Sequence, residues 1–329
     1  MSDLRKDIVS GEWIIMAPER AARPHLIVPD RKPRKFPALG KCPFEETNLR
    51  ATNQWPPIAN FPSEKRWKVV IIPNKFPAVM HYQACSDVYQ EGIYSVMGGI
   101  GHHDLVITRD HRKPFGELSF DDAFHVLRVF QKRYAVMAKD RCLLYATAFF
   151  NWGANAGASV AHPHYQILTL PIVPPDVAQS LQGSARYAKT HHRCVHCDMI
   201  RFEAKEKKRV IHEDSRSIAL APFTSFEPFE IRIFPKRHVP FFDRTPRETI
   251  ASVARTLQYV LRKIKKNLND VDLNFFVHSA PLRERTRYGH YHWHIEVRPK
   301  MTMPAGFELS TGVQINIIDP DKAAAILRT

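Results

Sequence analysis

Residues 151–166 read NWGANAGASVAHPHYQ, and residues 289–299 read GHYHWHIEVRP. In the first stretch His162, His164 and Gln166 alternate, so on a strand all three project from one face. The loop before them supplies Asn151, Gly153, Gly157 and Ser159, small residues that let a phosphate approach backbone N–H groups, with an amide and a hydroxyl to hydrogen-bond it. An HxH pair alone reads most simply as a core strand whose histidines bond to backbone. The glycine and serine loop beside it turns the reading towards a site. A histidine with one free ring nitrogen facing a bound phosphate can attack phosphorus and form a covalent intermediate, dividing one transfer into two in-line steps.

Working outward, the same order of elements occurs twice. Between Gly101 and Leu170 an extended HDLVIT leads through the turn RDHRKP to a helix, the strand LLYATAFF, the loop and AHPHYQILTLP; between Phe229 and Pro299 come FEIRIF, PKRHVP, a helix, LNFFVH, a loop and GHYHWHIEVRP. The first helix is read from Phe120, Phe124, Leu127, Phe130, Tyr134 and Met137, stepping by three and four behind Ser119. The second opens on Thr245, Pro246 and Glu248, a capping-box pattern, and carries Ile250, Val253, Leu257, Leu261 and Ile264 on one face. His111 and His162 are separated by nearly the same stretch as His238 and His290. These repeats predict an α+β chain of two duplicated units, with antiparallel sheets and helices packed on one side. The units are expected at 1–171 and 191–329, joined by a proline-containing connector at 172–190, with the proline- and arginine-rich first sixty residues wrapping over a core built elsewhere.

The chain has 329 residues, 44% hydrophobic and 25% charged, which excludes disorder as a description of the whole. Its apolar runs fall short of the roughly 20 residues of a bilayer span, and MSDLRKDIVSG lacks a secretory apolar stretch. The expectation is a soluble, cytoplasmic protein with no membrane partner. Five cysteines, an odd number, do not suggest a disulfide framework, and Cys85 and Cys142 read as ordinary buried thiols. Lysine plus arginine at 48 against 33 acids gives a net charge of +15, which attracts polyanions without choosing among phosphorylated metabolites, nucleotides and nucleic acid. The 17 histidines matter because imidazole both ligates metals and titrates near neutrality.

WGANAGASVAHPHYQ resembles the active-site stretch of galactose-1-phosphate uridylyltransferases, a branch of the histidine-triad superfamily. SGEWIIMAPERAARP, WKVVIIPNKFPAV, RDHRKPFGELS and AGFELSTGVQIN are similar to other segments of that family, so the resemblance covers nearly the whole chain in order. It implies that His164 is a nucleophile that becomes nucleotidyl-histidine and that Gln166 hydrogen-bonds the phosphoryl oxygens. It further implies that Ser159, Asn151 and Gly153 hold the nucleotide phosphates, and that Asn74 and Phe76 contact the nucleoside. Arg20 and Arg23 would bind phosphate, a task suited to a guanidinium fork, and Glu308 would bind sugar hydroxyls. Family members are commonly homodimers with active sites near the interface.

Cys194 and Cys197 have the spacing of a zinc knuckle, and His238 with either His290 or His292 would complete a Cys2His2 site. By the repeat, the first unit should hold a counterpart made of Cys42, residue 45, His111 and His162. In relatives a second cysteine stands at that position; here it is Glu45, and a carboxylate can also ligate zinc. One or two structural zinc ions follow. The second histidine strand lacks a glycine-serine loop, because PLRERTRYG is basic and bulky. The second unit therefore reads as catalytically silent, with His294 and Glu296 as packing or surface residues.

The reaction implied is transfer of a nucleoside monophosphate from a nucleotide sugar, through the covalent histidine, to a sugar 1-phosphate or phosphate, with ping-pong kinetics. UDP-glucose:hexose-1-phosphate uridylyltransferase of galactose metabolism comes first. An ADP-sugar or dinucleotide phosphorylase comes second. A lysine and a tyrosine of the best-known uridylyltransferases are not evident in PAGFELSTGVQIN, where Phe307 precedes Glu308; this form is more like bacterial and plant relatives, among them an adenylyl-transferring phosphorylase acting on ADP-glucose. A different class, a zinc-stabilised nucleic-acid-binding protein, is motivated by the charge and the CxxC, and would tolerate substitution of His164.

Overall fold

The computed structural model describes residues 2–22, 34–52, 54, 56–82 and 84–329. Its strands are β1 (Asp3–Lys6), β2 (Trp13–Met16), β3 (Ala59–Phe61), β4 (Val69–Pro73), β5 (Tyr89–Glu91), β6 (Tyr94–Val96), β7 (His103–Thr108), β8 (Tyr145–Trp152) and β9 (His164–Leu170). They continue with β10 (Val210–Glu213), β11 (Ser217–Leu220), β12 (Ile231–Pro235), β13 (Leu273–His278), β14 (His294–Pro299) and β15 (Ile315–Asn316). The helices are α1 (Glu46–Ala51), α2 (Phe120–Met137), α3 (Pro175–His191), α4 (Val195–Glu206), α5 (Arg247–Asn267), α6 (Gly306–Thr311) and α7 (Pro320–Arg328).

Ten strands form one antiparallel sheet in the order β10-β11-β12-β14-β13-β8-β9-β7-β4-β3. The order is palindromic about the β13–β8 junction, so the duplication read from the sequence is a pseudo-twofold in one continuous sheet. At that junction Asn274 stands opposite Asn151. Strand alternation then sorts the faces. Val69, Val106, Phe150, Tyr165, Phe275, Ile295 and Val297 join the main core with residues of α2 and α5. On the opposite face Val70, Ile72, Leu105 and Ile107 pack with Cys42, Phe44, Leu49 and Trp67. The same face of the second half carries Ile218, Leu220 and Phe234 against Ile200 of α4, so the two long helices share one side and α4 takes the other.

Ser119 caps α2 as expected, its Oγ accepting the Asp122 N–H at 3.1 Å. Thr245 does not form the expected capping box: Pro246 is the residue before α5, and the Thr245 hydroxyl donates instead to the Phe241 carbonyl of the preceding turn. Between the units, residues 175–191 are helical, with proline in the first turn of α3. Cys85 and Cys142 are not free thiols. They are joined as a disulfide, their Cα atoms 5.1 Å apart, which staples the segment before β5 to the turn after α2. The pairing is invisible in the sequence because only the fold brings positions 57 residues apart within bridging reach. Among the described residues, no helix is long and apolar enough to cross a membrane.

Candidate active site and metal centres

His164 opens β9 and is buried, its ring meeting that of Phe44 edge-on at a centroid distance of 4.8 Å. Its Nδ1 lies 2.9 Å from the His162 carbonyl oxygen. A carbonyl only accepts, so Nδ1 carries the proton and Nε2 keeps its lone pair. Burial holds the His164 pKa below the ordinary histidine value, with the bond to the His162 carbonyl opposing the shift. The ring is thus kept neutral with one nucleophilic nitrogen.

Gln166 follows on the same face, its Oε1 2.8 Å from His103 Nε2 on β7. That imidazole also meets Asn74, just beyond β4, whose Nδ2 lies 3.2 Å from the same nitrogen. Asn74 Oδ1 accepts the Phe76 N–H at 3.0 Å, and Phe76 itself is 81% exposed, an apolar plate with no core role. Asn151, on β8, has its Oδ1 bonded by Asn274 Nδ2 at 2.8 Å.

The glycine loop is fixed from the second half of the sheet. Gly153 has φ +89°, and a Cβ there would lie 1.8 Å from Asp272 Oδ1, so only glycine fits. Asp272 Oδ2 accepts the Asn155 N–H at 3.0 Å, and Arg34 Nη1 is 2.8 Å from Asp272 Oδ1. Asn274 also donates to the Ala156 carbonyl at 2.8 Å. Sequence reasoning missed His103, Asp272 and Asn274. His103 was visible only as one half of an unexplained HH pair, and Asp272 and Asn274 sit in no motif.

Ser159 is exposed, and its hydroxyl has no partner among the described residues. Arg20 has a buried Nε without a partner among them, a donor suited to an anion. Arg23 lies outside the described residues. Glu308, on α6, accepts the Ala305 N–H at 3.1 Å. Neither Arg20 nor Glu308 hydrogen-bonds to the group around His164.

Two clusters suit a metal ion. Cys42, Glu45, His111 and His162 bring their ligand atoms within 4.8 Å of one another. His162 Nε2 is 2.8 Å from the Thr108 carbonyl and His111 Nε2 is 3.0 Å from the Pro37 carbonyl, so both N–H groups are committed outward. Their two Nδ1 lone pairs then face each other at 3.2 Å, with Glu45 Oε1 3.0 Å from His111 Nδ1 and Cys42 Sγ 3.4 Å from His162 Nδ1. A metal cation would accept both lone pairs, and burial, which pushes His162 down to about 4, disfavours a proton on that ring. The donor set fits zinc.

The second cluster is Cys194, Cys197, His238 and His292. His238 and His292 commit Nε2–H to the Gly289 and Pro235 carbonyls at 2.8 and 2.9 Å, and each Nδ1 lies 3.5 Å from Cys197 Sγ. The Cys197 thiol draws the Cys194 pKa down through their hydrogen bond. His290 is not in the cluster; its Nε2 bonds the Leu181 carbonyl at 3.2 Å. The counterpart of His162 is therefore His292. Counting from the turn misplaces it because the β13–β14 loop, residues 279–293, is longer than the β8–β9 loop, residues 153–163. His294 and Glu296 are buried: Glu296 is 3.2 Å from His278 and bonds Arg298, and Arg232 lies beside it in an ionic network.

A family model described as a domain of unknown function, DUF4921, matches residues 81–328. ADP-glucose phosphorylase of Arabidopsis thaliana is 32% identical over 99% of this chain and 92% of its own length. Galactose-1-phosphate uridylyltransferase of Thermotoga maritima is 24% identical over 100% and 98%. The crystal structure of the Arabidopsis ADP-glucose phosphorylase with bound ADP-glucose superposes with a TM-score of 0.83 at 30% identity, covering 100% of this chain and 99% of that one. With sequence and fold in agreement along its length, the chain belongs to the galactose-1-phosphate uridylyltransferase family, the nucleotidyltransferases that include ADP-glucose phosphorylase.

Proposed function

We propose that His164 Nε2 attacks the α-phosphorus of a nucleoside diphosphate sugar, forming a P–N bond as the bond to the sugar 1-phosphate breaks. The leaving group is itself a phosphate and departs without a proton. As positive charge develops on the ring, the Nδ1–H bond to the His162 carbonyl strengthens and stabilises it. A second phosphate then displaces Nε2 in line and regenerates the neutral imidazole. The observation that carries this reading is the neutral His164 with its free Nε2, set beside Gln166 and the glycine loop.

The preferred donor is ADP-glucose, with inorganic phosphate as acceptor, because the ADP-glucose phosphorylase is more similar than the Thermotoga maritima uridylyltransferase in sequence (32% against 24% identity) and than a solved uridylyltransferase in fold (TM-score 0.83 against 0.75), and Phe307 already departs from the best-known uridylyltransferases. On this reading adenylyl transfer, second in the sequence reading, comes ahead of uridylyl transfer. Zinc at both clusters holds the strands that carry the site: bound at His162, it fixes the chain two residues before the nucleophile. No ligand set offers an open position for chemistry, so each ion would be structural.

The test is covalent labelling. Protein incubated separately with radiolabelled ADP-glucose and UDP-glucose should acquire acid-labile label from the first, and His164→Gly should acquire none. Label from UDP-glucose alone would restore the uridylyl reading. Absence of label from both, with salt-sensitive binding of single-stranded nucleic acid, would replace the enzymatic reading by the nucleic-acid one.

A further inference from the structure

Three side-chain amides surround the face that carries His164, and each has its carbonyl oxygen occupied. Asn74 Oδ1 accepts the Phe76 N–H, Gln166 Oε1 faces His103 Nε2, and Asn151 Oδ1 accepts from Asn274 Nδ2.

His103 decides the orientation of the first two. The Ala78 N–H points at its Nδ1 from 3.0 Å, so that nitrogen must supply a lone pair and the ring proton resides on Nε2. Nε2–H then donates to Gln166 Oε1 at 2.8 Å, which turns the glutamine NH2 away from His103. Asn74 Nδ2 lies 3.2 Å from the same Nε2, but two donors do not bond each other, so the asparagine N–H groups stay available. On the other flank the two protons of Asn274 Nδ2 are divided between Asn151 Oδ1 and the Ala156 carbonyl, both at 2.8 Å. Among the described residues, the Asn151 NH2 is thereby left without a partner as well.

We propose that His103 and Asn274 are positioning residues that occupy the amide oxygens of Gln166 and Asn151, so that both present only amide N–H groups to the substrate phosphates. A phosphate oxygen only accepts hydrogen bonds, and an amide turned to show its oxygen would repel it. The sequence alone leaves each amide free to flip; the partners behind them remove that freedom before substrate arrives, which is how a donor set becomes preorganised. This inference rests on the reading of His164 as the site of nucleotidyl transfer.

The experiment is a double-mutant cycle on the single-turnover labelling rate with ADP-glucose. His103→Ala should slow labelling about 10- to 100-fold, the range for losing an orienting partner, while the dissociation constant for ADP-glucose changes far less. In a Gln166→Ala background, His103→Ala should cost nothing further. His103→Gln, which restores an N–H of similar reach, should recover part of the rate. Asn274→Asp replaces the donor by an acceptor at nearly constant shape and should impose a comparable loss. Additive costs in the cycle, or wild-type labelling by His103→Ala, would overturn the inference while leaving the function intact. A wild-type protein that takes no label would overturn the function itself, and this inference with it.

Discussion

At the scale of single residues, the chemistry of the site is set by which nitrogen of each histidine holds a proton. His164, His162, His111, His238 and His292 each place one ring nitrogen against a backbone carbonyl, which leaves the other as a lone pair facing inward. His103 is the exception, with a backbone N–H against Nδ1, and it becomes a donor. The lowered pKa of His164 has a consequence for pH dependence. Burial disfavours the charged ring, so the native state holds this site neutral at pH values where an unfolded histidine is already protonated. Labelling by a saturating nucleotide sugar should therefore fall to half only at a pH below the ordinary histidine value near 6.5. Stability moves in the same sense: as pH falls through the unfolded histidine range, the unfolded chain binds the proton first and folding weakens. A labelling rate already halved at or above the ordinary value would contradict the burial argument.

At the scale of elements, strand alternation made most of the site legible. His162, His164 and Gln166 needed only period two and a loop of small residues. The amphipathic spacing of α2 and α5 was equally plain. Cross-strand neighbours were not: His103 meets Gln166 because β7 pairs with β9, and Asn274 meets Asn151 because β13 pairs with β8. The metal knuckle shows the same division. The CxxC pair is local, but the choice of His292 over His290 depends on where β14 begins after a loop whose length the repeat did not constrain. For this element, Cys194→Ala should remove one zinc ion per chain and destabilise the fold by more than about 4 kcal/mol, the range reached when a bound metal is lost. Metal analysis by emission spectrometry, with thermal unfolding alongside, checks both. A full metal complement in the variant would count against the site.

For the whole molecule, the exposed apolar residues bear on assembly. Tyr89 and Tyr94 lie on the β5–β6 hairpin with Ile93 in its turn, and Ile93 is 88% exposed; Met303, before α6, and Leu309, on α6, are exposed as well. Such surface on one chain fits the homodimer that the family resemblance implies. If this surface self-associates, sedimentation equilibrium should return a dimer, and Ile93→Asp should weaken association by more than about tenfold; a monomeric wild type would overturn that expectation. The disulfide between Cys85 and Cys142 ties the hairpin segment to the α2–β8 turn, a closure no count of cysteines revealed. What the sequence determined by itself was whatever depends on local period and spacing: the repeated order of elements, the histidine strand that carries the proposed nucleophile, and the CxxC pair. What only the tertiary structure decided was which residues stand behind them. Tautomers, amide orientations, the fourth member of the Cys194 cluster and the support of the glycine loop by Asp272 and Asn274 all arise from contacts across strands or loops far apart in sequence. Such contacts are fixed by sheet register and loop length, and neither is written in the spacing of a single segment.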